Sequence, residues 1–124
     1  MPAANSIPNQ GPMSGFISPF DVPSKLTDQA YHVAFSHLWN GIATRHSDTL
    51  DAKFFVDGRG VVVGMANTGL VQFRERQGRG LTDREAAFIA AAFLREQLQQ
   101  EDERALYDVS EADVLRLAEA IGLR

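Results

Sequence analysis

The chain has 124 residues, 44% of them hydrophobic and 23% charged, proportions that suit one ordinary globular core and exclude wholesale disorder or a fibrous repeat. Twelve basic against sixteen acidic residues leave a net charge of -4, opposite in sign to what a phosphate backbone attracts, so nucleic acid is not an expected partner. There is no cysteine, which excludes disulfides, thiolate metal sites and a cysteine nucleophile.

Pro2, Pro8, Pro12, Pro19 and Pro23 are all five of the prolines, and they fall within residues 1–23 among Gly, Ser and Asn. This composition reads as a flexible tail ahead of one domain over residues 24–124. The tail has neither the basic start nor the apolar run of a signal peptide, and no stretch approaches the roughly 18 apolar residues of a membrane span. A cytoplasmic protein without membrane contact is therefore expected. Phe16, Ile17, Phe20 and Val22 form an apolar cluster in this otherwise polar segment, expected to dock on the folded body or on a neighbouring subunit.

From Thr27 to His46, the residues Tyr31, Ala34, Phe35, Leu38, Trp39 and Ile42 recur at three- and four-residue spacings. That spacing predicts an amphipathic helix ending near Arg45 or His46. Between Asp51 and Arg76 come three β-rich runs, AKFFV, VVVGMA and LVQFRE, separated by Asp57-Gly58-Arg59-Gly60 and Asn67-Thr68-Gly69. These predict a three-stranded antiparallel meander with tight turns, Val71 and Phe73 facing inward and Arg74 and Arg76 outward.

After the break at Gln77–Gly80, Thr82 and Glu85 match a capping box and start a second helix that should reach about Gln100. Ala86, Ile89, Ala90, Phe93 and Leu94 form its apolar face, and Phe88 lies off it. Ser110 with Asp113 repeats the capping pattern, and Gly122 supplies a left-handed cap to a short third helix. The expected fold is α+β in the order α-β-β-β-α-α, a three-stranded antiparallel meander packed against helices behind a disordered N-terminal tail. The stretch SEADVLRLAEAIGL resembles the first helix and turn of a helix-turn-helix unit. A DNA-reading unit of that kind needs a recognition helix after the turn, and the sequence ends at Arg124, so a terminal helix capped by glycine is expected.

No catalytic or metal-binding motif stands out. His32 and His37 are five residues apart, which a helix would turn to different faces, and His46 has Asp48 and Asp51 near it without a recognisable nucleophile. Gly58, Gly60, Gly64 and Gly69 lack the Lys-Ser/Thr ending of a phosphate loop and fall at turns instead. Arg74, Arg76, Arg79 and Arg84 run from a predicted strand to a helix start, where free amides favour an anion, although Glu75, Asp83 and Glu85 lie among them. The expected function is a protein-interaction or regulatory module without catalytic activity, metal or cofactor, homodimeric, with Phe16, Ile17, Phe20, Val22 and Phe88 at its interface. The alternative is a protein, enzyme or not, that binds a small ligand or anion through the four arginines.

Overall fold

The computed structural model describes residues 17–40 and 49–123. Along the chain run β1 (Phe20–Pro23), β2 (Ala30–Asn40), β3 (Thr49–Val56), β4 (Arg59–Ala66), α1 (Asn67–Gln77), α2 (Asp83–Gln99), β5 (Leu106–Val109) and α3 (Glu111–Ala120). The strands form one curled sheet in the order β1-β2-β3-β4-β5, in which only the β4–β5 pair is parallel. The element order is therefore β-β-β-β-α-α-β-α, which overturns the expected α-β-β-β-α-α order and its three-stranded meander.

Two segments changed identity, each for a local reason. In β2, Tyr31, Val33 and Phe35 alternate into the core as a strand requires. A register shift between Phe35 and His37 then inserts one residue, so the next core side chain is Leu38. A step of two interrupted by a step of three imitates helical spacing, and it is this bulge that the periodicity mistook for a helix. The β-branched and aromatic content of the segment suits the strand. The expected end of that helix, residues 41–46, lies outside the described residues.

LVQFRE is the second correction, because it belongs to α1 and not to a third meander strand. As a helix it turns Gly69 and Phe73, four residues apart, to the interior. Gly69 is needed there: a Cβ at this position would lie 2.7 Å from Val114 Cβ on α3, so the valine side chain packs directly on the glycine backbone. Asn67-Thr68-Gly69 is thus the first turn of a helix, and Gly78, at φ 76°, ends it by donating its N–H to the Arg74 carbonyl.

Other local signals are realised as read. Asp57 and Gly58 take φ of 50° and 83° and join β3 to β4 in a two-residue hairpin. Thr82 Oγ1 accepts from Glu85 N while Glu85 Oε1 accepts from Thr82 N, the complete capping box. Ser110 Oγ accepts from Asp113 N at the start of α3, and Gly122 has φ 83° beyond its end. The short strands β1 and β5 were not anticipated. Residues 17–23, assigned by composition to the tail, bring Ile17 and Val22 into the core and place β1 at the sheet edge, while Phe16 lies outside the described residues.

The helices pack on one face of the sheet. Val33, Phe54, Val63 and Met65 from the strands meet Ile89, Ala90 and Leu94 of α2 and Val114 of α3, all of them fully buried. Phe35 and Phe54 pack edge to face with centroids 5.4 Å apart.

Gly69→Ala tests the α1–α3 approach. An exposed helical glycine gains about 1 kcal/mol on becoming alanine, whereas overpacking a core costs about 1 to 3 kcal/mol, so this variant is expected to unfold at lower denaturant concentration than the parent. Deleting residues 1–24 removes β1 with two core side chains worth about 1.5 to 3 kcal/mol each, and should lower the melting temperature or prevent folding. An unchanged melting temperature and elution volume would show that β1 is dispensable.

Candidate functional site

α2 has a second, outward stripe. Its wide apolar face meets the sheet, and Phe88, Ala92 and Arg95, spaced i, i+4 and i+7, point the other way. Ile17, with Phe20 and Asp21 at the start of β1, and Ile121 and Leu123 beyond α3 border that stripe. Together they line an open, mainly apolar groove of about 590 Å³. Phe88 and Ile121 at its border remain 37% and 40% exposed. Arg84 lies across the Phe88 ring, with its guanidinium carbon 5.5 Å from the centroid. Arg95 has no hydrogen-bond or ion-pair partner among the described residues, and Asp21 accepts from or donates to nothing but His32, whose Nδ1 is 2.9 Å from Oδ1.

The interface residues expected from sequence are therefore placed in two ways. Ile17, Phe20 and Phe88 come together at this groove, whereas Val22 is completely buried in the chain's own core. Asp21, Ala92, Arg95, Ile121 and Leu123 also line it and were not anticipated. The i, i+4, i+7 spacing of Phe88, Ala92 and Arg95 was the available signal for the helical part. Nothing local in the sequence pointed to its meeting with β1.

The four arginines do not converge. Arg79 is held by a bidentate pair with Glu85 at 2.8 and 2.9 Å and lies over the Phe73 ring, centroid distance 5.5 Å. Arg84 covers Phe88. Arg74 lines a cleft of about 330 Å³ with Leu50, Asn67 and Thr82, and Arg76 lines a different one with Leu115 and Glu119.

The histidines sit apart. His32 and His37 lie on exposed parts of β2, His37 Nδ1 meeting Ser36 Oγ at 2.8 Å, and His46 is outside the described residues. The buried polar pair is Thr49 with Asp51, whose Oδ1 accepts from Thr49 Oγ1 at 2.8 Å. Among the described residues no group of three or more His, Asp or Glu side chains is placed to hold a metal ion, and no helix is long and apolar enough to cross a membrane.

The sheet face away from the helices carries a second apolar area. Phe54 and Phe55 point to opposite faces, the first fully buried and the second exposed. On the outer face Phe55 is opposite Ala34 and Gly60, while Lys53, Val62 and Leu106 form a row across three strands. Lys53 Nζ lies 5.4 Å from the Phe55 centroid, so part of this surface is roofed by a cation.

No protein-family model matches the chain, and no curated protein or solved structure is significantly similar to it.

The Glu85 carboxylate is held down at about 2, first by the Arg79 guanidinium and then by the Thr82 backbone N–H. A carboxylate that is more acidic folded than unfolded stabilises the fold fully above its ordinary value near 4.5, and this stabilisation disappears as pH falls toward 2. Glu85→Gln should therefore melt a few degrees below the parent at pH 7, and the gap should close between about pH 4.5 and 2. A gap independent of pH would mean that the ion pair contributes nothing.

Proposed function

We propose that the protein is a small interaction module that works as a homodimer in the cytoplasm, with the groove between α2, β1 and the end of α3 as its contact surface. The observation that carries this reading is the groove itself. A folded chain of this size has little reason to leave Phe88 and Ile121 in water around a concave apolar surface unless another surface covers them. Aromatic anchors at the centre of a patch with charged groups at its rim are the usual anatomy of a protein contact. The separation of the four arginines, with Arg79 committed to Glu85 and Arg84 to Phe88, favours this reading over an anion site built from them.

Sedimentation or light scattering over a dilution series is the test. The parent chain is expected to show a reversible monomer–dimer equilibrium in the micromolar range, typical of a modest interface. Phe88→Asp, which places a charge in the groove without disturbing the inner face of α2, should remain monomeric throughout while keeping a near-parental melting temperature. A parent that stays monomeric at several hundred micromolar overturns the proposal.

A further inference from the structure

We infer that the cleft between the C-terminal halves of α1 and α3 binds a small zwitterion, a free α-amino acid with an aliphatic side chain, its carboxylate held by Arg76 and its ammonium by Glu119. The proposal does not depend on the homodimer reading.

The cleft follows from how the two helices pack. Near their starts, Val114 of α3 rests on the backbone of Gly69 in α1. Further along, where Phe73 takes the place of a glycine on the interior face of α1, the helices frame an open cleft of about 500 Å³, within the usual range for a small-ligand site. Gln77, the last residue of α1, and Gly122, just beyond α3, both line it. Both helices therefore begin at the Gly69–Val114 contact and end at the cleft, and they run in the same direction.

This placement sets Arg76 and Glu119 across from each other. Arg76 comes seven residues after Gly69, close to two full turns, and so continues the stripe of α1 that faces α3. Leu115, Ala118, Glu119 and Gly122, at i, i+3, i+4 and i+7, form the facing stripe of α3. At about 1.5 Å per residue, Arg76 stands about 10.5 Å past the contact and Glu119 about 7.5 Å, so the two charges flank the cleft at nearly the same level.

The chain leaves these charges unpaired. Elsewhere on its helices an arginine within reach of a carboxylate closes on it through two hydrogen bonds, as Arg79 does on Glu85 and Arg116 on Glu96. The Arg76 and Glu119 side chains have no hydrogen-bond or ion-pair partner among the described residues, although their residues line one cleft. A guanidinium there donates to a carboxylate, and a carboxylate accepts from an ammonium. A simple anion would meet Glu119 as a like charge, and a simple amine would meet Arg76, so the pair selects a ligand that carries both signs. An α-amino acid carries both at one end and leaves its side chain free. Leu115 and Leu123, half-buried at the same cleft, still have apolar surface to give to an aliphatic side chain.

Titration of the full chain with leucine, followed by backbone amide NMR, tests the site. Leucine is expected to bind with a dissociation constant of about 1 mM or tighter, as its few atoms permit, and to shift the amides of Gln77, Glu119 and Gly122. N-acetyl-leucine, which lacks the ammonium, and leucine amide, which lacks the carboxylate, should each bind about tenfold more weakly or worse. Arg76→Gln should weaken leucine binding about tenfold and abolish the preference for leucine over leucine amide, and Glu119→Gln should do the same for the preference over N-acetyl-leucine. Both side chains are exposed, so the variants should melt close to the parent. No amide shift at about 10 mM leucine, or shifts that neither substitution alters, would overturn the proposal. So would loss of stability in both single variants with recovery in a chain carrying Arg76→Glu and Glu119→Arg together, which would show that the two side chains pair with each other.

Discussion

β5 lies parallel to β4, and the rest of the architecture follows from that pairing. Antiparallel neighbours need only a tight turn, as β3 and β4 have at Asp57-Gly58, but a parallel neighbour requires the chain to return to the starting end of the sheet. α1 and α2 make that return, and both lie on the same face. α3, emerging from β5, must then fit against them, and it does so by lodging Val114 over Gly69. With three helices on one side, the other face of the sheet and the outward stripe of α2 beside β1 are both left uncovered by the described residues. The groove is thus a product of topology as much as of the residues that line it.

Polar contacts fasten the return path at its far end. Glu101 follows the cap of α2 with φ at 58°, a conformation usually left to glycine. Its carboxylate accepts from Ser24 Oγ and Thr27 Oγ1, each at 2.6 Å, and these two hydroxyls hold it below the usual carboxylate range. The side chain that glycine would lack is what ties the β1–β2 loop to the end of α2. Nearby, Tyr31 donates to Glu103 Oε2 at 2.7 Å, and Arg59 reaches the same carboxylate at 3.2 Å. Burial, followed by that hydrogen bond, pushes the Tyr31 hydroxyl well above its ordinary value. β1 and β2 are thereby anchored to the segment that leads into β5, which fixes one wall of the groove relative to α2.

What could be read from the sequence divides along the range of the interactions. The helix starts at Thr82 and Ser110 and the hairpin at Asp57-Gly58 are set by contacts within four residues, so they are visible in any short window. β2 and α1 were misread because their character comes from partners far along the chain. The bulge after Phe35 has meaning only against β3, and the helical state of Leu70–Arg76 is favoured by the space Val114 leaves for Gly69. In LVQFRE the alternation of Val71 and Phe73 is real, but only Phe73 enters the core, and an alternating pattern of this length fits both states. The groove was half legible: Ile17, Phe20 and Phe88 stood out as apolar residues without an assigned core, whereas Asp21 and Arg95 carry no mark of their own until β1 is laid beside α2.

The sheet edges show why association through side chains is the more natural route for this fold. A free strand edge recruits partners through unpaired backbone groups, yet β1 is only four residues long and ends in Pro23, which has no N–H to offer. β5 is equally short and carries Asp108 in its middle. Neither edge offers a long flat template. Of the two apolar areas that remain, the outer sheet face has Lys53 lying across Phe55 and over Gly60, with its Cε 3.0 Å from where a Cβ on that glycine would stand. Covering that face would first require stripping water from a lysine or moving it aside. The groove has Arg84 lying across Phe88 and Arg95 along the same stripe of α2, and its interior is lined by alanines and large apolar side chains. In both areas a cation lies across the exposed aromatic ring, so covering either one means moving or desolvating that cation.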